Sequence, residues 1–335
     1  MHNYPNFLVC VRSLTYNHKD FITDALNGFI IQETEFPYVV CVLDDASTDG
    51  TQDVIKSYVA EQFDIHYSSV AYERETEYAY ITYAQHKTNR NCYIVVHYLK
   101  YNHYQIGKKK VPYLAEWRNC VKYDALCEGD DYWTDPLKLQ KQVDFMNCNE
   151  CCSLCFHHVE VRYDGVPYGG DCFADVKPGE CVLEYMLRNW VIPTCSVLYR
   201  REVHEYIPTN SKFQYGDNVL FLTCFSHGLV YCVDGVMGVY RRNRRGWTMN
   251  KSAIEMMSSQ YLHFNGLIES FPRLDLSILV SRVINTATYL LVNERRNISF
   301  QVRQQILDNF KSYPIRFLFH LSKKVLRAIL NRLQK

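Results

Sequence analysis

Three acidic side chains crowd one short segment of the chain. The segment CEGDDYWTDP (127–136) contains Glu128, Asp130 and Asp131, and the apolar run Tyr123 to Cys127 predicts a short buried strand that ends there. Carboxylates at this spacing repel one another, and a divalent cation would neutralise them. Mg²⁺ and Mn²⁺ suit such a site best, because both take oxygen ligands and share their coordination with substrate phosphates. The alternative is a solvated acidic loop that caps the following helix.

A second acidic strand end weighs against the solvated loop. The apolar run Tyr38 to Leu43 ends in Asp44 and Asp45, and the earlier run Phe7 to Val11 leads into the polar segment 13–18. Apolar residues at helical spacing follow each polar segment. Strand, loop and helix repeated in this order predict a parallel α/β sheet, in which ligands bind at the carboxyl ends of the strands.

The composition excludes some classes of function. The chain has 335 residues, of which 47% are hydrophobic, and a formal net charge of +1, whereas a general nucleic-acid binder carries a basic excess. The first residues lack the basic and long apolar segments of a signal peptide, and no apolar stretch reaches the roughly 18 residues that a membrane span needs. We therefore expect a cytoplasmic protein with reduced thiols and no nucleic-acid partner.

Four of the 14 cysteines, Cys148, Cys151, Cys152 and Cys155, interleave two C-x₂-C spacings. Zinc sites usually pair two such elements across a loop, whereas these four share one short segment. The segment also begins a predicted strand that runs to Val161, in which cysteine acts as a small hydrophobic residue. The sequence therefore favours a strand over a zinc site.

Strands and helices continue to about residue 250, and the pattern beyond it is helical. We expect strands at 153–161, 195–199 and 229–233 and helices at 182–188 and 219–225. The predicted organisation is thus a domain of residues 1–250 with a helical C-terminal extension of residues 251–335.

The last segment, 314–335, has an apolar stripe with basic residues largely elsewhere, which is typical of a basic amphipathic helix. It would either rest on an anionic membrane surface, where a lipid-linked acceptor is found, or pack on the domain. A second basic group, Lys108 to Lys110, is interpreted as solvated loop charge in preference to a phosphate contact.

Blocks of this sequence resemble, in the same order, motifs of the family 2 glycosyltransferases. The blocks are SLTYNHKDFITDALNGFIIQ, VCVLDDASTDGTQDVI, ALCEGDDYWTDPLKLQKQVDFM, TCSVLYR and YGDNVLFL with HGLVYCVDGVMGVYR, and they cover about residues 5 to 245. The resemblance implies the GT-A fold, a Rossmann-like nucleotide-binding mixed sheet flanked by helices. The most similar branch is the bacterial one that builds cell-surface polysaccharides.

The resemblance implies an inverting transfer of a sugar from a nucleotide-diphosphate sugar, most simply a UDP-sugar, to a hydroxyl of a glycan or lipid-linked acceptor. Thr15, Tyr16 and Asn17 match the loop that lines the nucleotide. Asp44 and Asp45 match the acids that meet the uracil and the ribose, and a carboxylate can accept hydrogen bonds from both groups.

The remaining catalytic groups are also implied by the resemblance. Glu128, Asp130 and Asp131 match the D-x-D region, with Glu in place of the first Asp, and either Asp130 or Asp131 would bind Mn²⁺ or Mg²⁺ directly. Asp217 matches the general base that takes the proton of the acceptor hydroxyl. The alternative for Asp217 is a structural role as a helix cap.

Two departures from the family pattern bear on the reaction. The Q-x-x-R-W motif of processive synthases is missing from the stretch around residues 241–247, which favours transfer of a single sugar. Asn243 stands where relatives often have histidine.

Two alternatives to this function remain: an inactive nucleotide-sugar-binding module, and a sugar-phosphate nucleotidyltransferase. The latter would need a Gly-rich, basic loop after the first strand, which residues 13–18 do not supply.

Overall fold

The computed structural model describes residues 4–66, 71–163, 165–167, 173, 176–242, 252–294, 297–320 and 322. The chain divides into two compact units. The first unit comprises Met1–Val182, Trp190–Tyr206 and His227–Asn243, and the second comprises Leu183–Asn189, Ile207–Ser226 and Arg244–Lys335. Two segments before residue 250 thus belong with the C-terminal helices, and a domain boundary at residue 250 stays a proposal.

Twelve strands in the described part of the first unit form one mixed sheet. They are β1 Val9–Thr15, β2 Tyr38–Asp44, β3 Ala71–Glu75, β4 Ala79–Gln85, β5 Cys92–Leu99, β6 Tyr123–Leu126, β7 Tyr132–Trp133, β8 Cys152–Tyr163, β9 Val166–Pro167, β10 Gly179–Glu180, β11 Leu198–Arg200 and β12 Leu229–Arg242. Their order is β10-β12-β8-β11-β6-β1-β2-β5-β4-β3, with β7 paired to β12 and β9 paired to β8.

The parallel core of the sheet, β6-β1-β2-β5, brings the carboxyl ends of four strands to one edge. Every residue of β2 and β5 is buried, as expected for parallel strands that are covered on both faces. In the register of these strands, Thr15 lies beside Asp44, and Asp44 lies beside Tyr98. The predicted parallel α/β sheet is confirmed, and its strand order places the polar segments side by side.

Three strands differ from the sequence-based prediction. β12, expected at 229–233, continues to Arg242. The strand expected to end at Val11 continues to Thr15. Its pairing with β2 extends to Thr15, and the polar side chains of Ser13 and Thr15 are both buried. The strand expected at 195–199 begins only at Leu198, because residues 194–196 form a 3₁₀ turn. At the end of β1, strand pairing therefore outweighs side-chain polarity, whereas a local turn delays the start of β11.

The helices alternate with the strands in the first unit and dominate the second. The α-helices are α1 Ile22–Ile30, α2 Thr51–Gln62, α3 Ala115–Arg118, α4 Lys138–Cys148, α5 Leu183–Asn189, α6 Gly216–His227, α7 Ala253–Ser270, α8 Ser277–Asn293 and α9 Phe300–Ser312. Short 3₁₀ helices cover Val111–Leu114, Thr194–Ser196 and Arg201–Tyr206.

The second unit confirms the helical pattern expected beyond residue 252. A capping box between Ser252 and Glu255 begins α7. The side-chain amide of Asn309 donates to the Tyr261 hydroxyl at 2.6 Å, which joins α9 to α7 by a buried hydrogen bond. Among the described residues, none of the helices is both long and apolar enough to cross a membrane.

Candidate metal and nucleotide site

The acidic segment after β6 lies directly against the end of β1. The amide of Cys127 donates to the Arg12 carbonyl at 3.2 Å, and the amide of Gly129 donates to the Leu14 carbonyl at 2.9 Å. A Cβ atom on Gly129 would stand 2.6 Å from the Thr15 hydroxyl oxygen, so only glycine allows this approach. The predicted D-x-D region and the predicted nucleotide loop are therefore neighbours in space.

Carboxylate oxygens of Glu128, Asp130 and Asp131 lie within 4.8 Å of one another. Asp131 is buried, Asp130 is half-buried and Glu128 is exposed. Burial, together with the charge of Asp130, raises the pKa of Asp131 well above its ordinary value. Such crowded, partly desolvated carboxylates are the donor set that a hard divalent cation neutralises, so the residues fit Mg²⁺ or Mn²⁺.

Arg241, in β12, holds the acidic segment from the opposite side. Its backbone amide donates to Asp131 Oδ1 at 2.7 Å, and its Nη1 donates to the Asp130 carbonyl at 2.9 Å. The guanidinium also pairs with the Asp24 carboxylate and lies 4.3 Å from the centre of the Tyr132 ring. Arg241 thus holds the segment through the Asp130 carbonyl and one carboxylate oxygen of Asp131. It does not bind Asp131 Oδ2 or the carboxylate of Asp130.

The predicted nucleotide loop follows β1 and is hydrogen-bonded to the loop that follows β2. Asn17 has a φ of +56°, in the left-handed region that asparagine tolerates better than most residues. Its side-chain oxygen accepts from the Thr48 amide at 2.9 Å, and its own amide donates to the Ser47 hydroxyl at 2.8 Å. Thr15 is buried with no hydrogen-bond partner for its hydroxyl among the described residues, whereas Tyr16 is exposed.

Asp44 is completely buried and organises the loop that follows β2. Its Oδ1 accepts from the Ser47 amide at 3.0 Å and from Gln52 Nε2 at 2.6 Å, and its Oδ2 accepts from the Ser47 hydroxyl. A carboxylate offers about four acceptor positions, so about one remains for a ligand. Contact of Asp44 with a nucleotide stays a prediction.

Asp45 organises a second loop, the one that follows β5. Its oxygens accept from the amides of His103 and Tyr104 at 2.7 and 3.1 Å and from Lys110 Nζ at 2.6 Å. The interpretation of Lys110 as a solvated charge is therefore wrong, because a buried carboxylate needs a counter-charge. Lys108 and Lys109 are exposed.

Asp217 belongs to the second unit, where it lies in the first turn of α6. The residue is exposed, and its Oδ1 accepts from the amide of Asn218 at 2.8 Å. Desolvation raises the pKa of the carboxyl, in the direction that suits a base, and the hydrogen bond from the Asn218 amide opposes the rise. Its role as the general base stays a prediction.

Comparison with known proteins shows what the chain is similar to. Residues 11–96 match the model of the family described as glycosyl transferase family 2. The matched segment runs from β1 into β5. The resemblance seen in the sequence blocks is confirmed.

The chain is also similar to individual curated proteins. It is 32% identical over 241 residues to the uncharacterized protein Rv1520 of Mycobacterium tuberculosis, covering 70% of this chain and 58% of that protein. It is 23% identical over 245 residues to TuaG of Bacillus subtilis, for which a role as a teichuronic acid biosynthesis glycosyltransferase is proposed, covering 73% of this chain and 82% of TuaG. The chain therefore spans a little over half the length of its mycobacterial relatives.

Solved structures confirm the fold of the chain. S. aureus TarS residues 1–349 with UDP superimpose with a TM-score of 0.55 at 15% identity, covering 94% of this chain and 83% of that one. The mannosyltransferase PcManGT of Pyrobaculum calidifontis, solved with GDP-Man and Mn²⁺, gives a TM-score of 0.52 at 15% identity, covering 99% and 88%. The predicted GT-A fold with C-terminal helices is confirmed.

A buried lysine lies beneath the acidic segment. Trp133 is buried and donates from Nε1 to the Cys195 carbonyl at 2.7 Å, and Lys138 Nζ lies 3.7 Å from the centre of the Trp133 ring. Lys138 is completely buried, and burial lowers its pKa from 10.5 to about 7. Its position in the sequence, at the start of an amphipathic helix, gives no indication of this burial.

The four clustered cysteines do not share one environment. Cys148 and Cys151 are exposed, whereas Cys152 and Cys155 are buried in the first unit as parts of β8. The strand predicted for this segment is confirmed.

Proposed function

We propose that this chain is a metal-dependent, inverting and non-processive glycosyltransferase. It transfers one sugar from a nucleotide-diphosphate sugar, most simply a UDP-sugar, to a hydroxyl of a glycan or lipid-linked acceptor in surface polysaccharide synthesis. The observation that carries the proposal is the convergence of Glu128, Asp130 and Asp131, with oxygens within 4.8 Å of one another, beside the end of β1.

The comparisons support the classes of donor and acceptor. TarS has been solved with UDP and with UDP-GlcNAc, and PcManGT with GDP-Man, so chains of this fold hold nucleotide sugars. The proposed teichuronic acid role of TuaG supports an acceptor in a surface polysaccharide. We infer a uridine nucleotide, because two paired acids at the end of β2 match the family's uracil and ribose contacts.

Asp130 and Asp131 would hold the cation, with Glu128 at the exposed edge of the cluster. A bound Mn²⁺ or Mg²⁺ would neutralise the charge that develops on the leaving diphosphate. Arg241 keeps the acidic segment in place through the Asp130 carbonyl and the Asp131 carboxylate. Thr15 to Asn17 and the loops ordered by Asp44 and Asp45 would bind the nucleotide.

Asp217 would accept the proton of the attacking acceptor hydroxyl. An inverting transfer needs a carboxylate on the acceptor side of the anomeric carbon, and the acids of the metal cluster are committed to the leaving-group side. The exposed carboxylate of Asp217 accepts a hydrogen bond from the amide of Asn218. Because a carboxylate offers about four acceptor positions, it can also accept from the incoming hydroxyl. Its raised pKa makes it a stronger base than an ordinary aspartate.

The C-terminal segment 314–335 would bring the enzyme to an anionic membrane on the cytoplasmic side, where a lipid-linked acceptor is found. In the described part of this segment, Ile315, Leu318 and Phe319 are exposed whereas Phe317 is buried. Most of its basic residues lie outside the described residues. Flotation with anionic liposomes should be stronger for the full chain than for a chain that ends at Tyr313, and equal flotation of the two removes this contact.

The function is tested by measuring UDP release from a panel of UDP-sugars, with and without an added glycan acceptor. We expect release that requires Mn²⁺ or Mg²⁺, stops with EDTA and is lost in Asp131→Asn, whose folding is checked by circular dichroism. Full activity after EDTA treatment would refute the metal dependence. Nucleotide-sugar binding without release would indicate an inactive binding module, and pyrophosphate formed from UTP and a sugar phosphate would indicate a nucleotidyltransferase.

A further inference from the structure

His18 approaches the acidic cluster from the loop after β1. Its Nε2 lies 3.9 Å from Asp130 Oδ2, and both side chains are about one-quarter exposed. The carbonyl of His18 accepts from the amides of Phe21 and Ile22, each at 2.9 Å, which anchors its backbone to the start of α1. The imidazole is therefore held by a fixed backbone next to a carboxylate of the candidate metal site.

A purely structural role does not account for this imidazole. Buried polar atoms in folded proteins are nearly always hydrogen-bonded. The Nδ1 of His18, however, is buried and has no hydrogen-bond partner among the described residues. The 3.9 Å separation from Asp130 is too long for a hydrogen bond. The ring contacts Phe21 edge-on, with centroids 6.4 Å apart, which orients it without using either nitrogen.

The separation of the two atoms suits two ligands of one ion. Ligands at about 2.1 Å from an octahedral cation lie about 3 Å apart when adjacent and about 4.2 Å apart when opposite. The 3.9 Å between His18 Nε2 and Asp130 Oδ2 lies close to the larger of these two separations. We propose that His18 supplies a nitrogen ligand, through Nε2, to the divalent cation held by the acidic cluster, an inference that rests on the metal-dependent function proposed for the chain.

A nitrogen ligand has a consequence for the choice of metal. Mg²⁺ takes oxygen ligands almost exclusively, whereas first-row transition metals accept imidazole nitrogen. His18 therefore biases the site toward Mn²⁺ over Mg²⁺. Without the imidazole, the three carboxylates alone would discriminate less between the two ions.

The test is pulsed electron paramagnetic resonance of Mn²⁺ added to the tag-free full chain with UDP, in an amine-free buffer. Nitrogen bound directly to Mn²⁺ modulates the signal, and the modulation should be present in the wild-type protein and lost in His18→Gln. It should change its pattern when the protein is labelled with ¹⁵N-histidine. His66→Gln, at an exposed histidine after α2, is the control and should keep the modulation.

Calorimetry of Mn²⁺ and Mg²⁺ binding gives a second measurement. His18→Gln should weaken Mn²⁺ binding roughly tenfold or more and Mg²⁺ binding by less than about threefold. An equal loss for both ions would mean that His18 only shapes the acidic segment, and would overturn its assignment as a ligand. Bound Mn²⁺ without nitrogen modulation would also overturn it, while leaving the acidic site intact. Failure of Mn²⁺ to bind would overturn both the ligand and the proposed metal dependence.

Discussion

Replacing the buried Lys138 with methionine should stabilise the protein, and more so at pH 6.5 than at pH 9.5. Lys138 Nζ has no hydrogen-bond partner among the described residues and rests on the face of the Trp133 ring. Burial lowers the pKa of Lys138 from 10.5 to about 7, because the charged form loses its hydration. Methionine has a similar length and also packs well on an aromatic ring.

The size of the effect follows from the pKa of Lys138 in the two states. At about 1.4 kcal/mol per pH unit, a shift from 10.5 to about 7 corresponds to about 5 kcal/mol as an upper limit. Below pH 7 the amine is protonated in both states, so the full penalty of the buried charge applies. Between pH 7 and 10.5 the unfolded chain binds one more proton than the folded chain, so wild-type stability rises with pH. Methionine does not titrate, and its advantage should shrink through this window.

Urea denaturation followed by tryptophan fluorescence measures the effect, because the Trp133 ring contacts Lys138 directly. A gain of about 1–4 kcal/mol at pH 6.5 is expected, in line with replacements of other buried charges by apolar side chains. Lys141→Met is the matched control, since Lys141 lies one turn away in α4, is half-exposed and pairs with Asp135; it should change stability by less than about 0.5 kcal/mol. A Lys138→Met protein that is less stable than wild type at pH 6.5, or equally stabilised at both pH values, would refute the reasoning.

Four further outcomes are expected. Arg241→Ala should raise the Kd for Mn²⁺ about 10- to 100-fold in calorimetry, because the acidic segment loses its guanidinium anchor, whereas Arg90→Ala, on an exposed ion pair, should not. Mn²⁺ affinity should rise with pH above the ordinary carboxyl range and binding should release protons, because the raised pKa of Asp131 keeps its proton until the metal displaces it; a pH-independent Kd would contradict this. Asp217→Asn should lower the transfer rate roughly 10²- to 10⁴-fold and leave UDP-sugar affinity near wild type, and transfer at a near wild-type rate would exclude it as the base. Asp45→Ala should weaken UDP binding more than it slows transfer by bound substrate, because it releases the loop held at residues 103–110, and an unchanged UDP affinity would count against it.

Local sequence pattern determined the position of the acidic residues that lie at the ends of parallel strands. The burial of β1, β2 and β6 follows from their apolar runs. A helix follows β1 and another follows β2, and a strand–helix–strand connection is typical of parallel strands. Parallel strands end at the same edge of the sheet, so the acids after β2 and β6 had to lie near the loop after β1. Asp44, Asp45 and the acidic cluster could therefore be found from the sequence.

Tertiary structure decided the contacts that join distant segments. Arg241 reaches Asp131 because β12 pairs with β7, and Lys110 reaches Asp45 because the loop after β5 folds back across the sheet edge. Lys138 is buried beneath Trp133 although its helix begins with a pattern typical of a surface. Periodicity records only which face of an element is apolar; which charged side chain meets which partner depends on strand order and register, and these emerge only when the whole sheet forms.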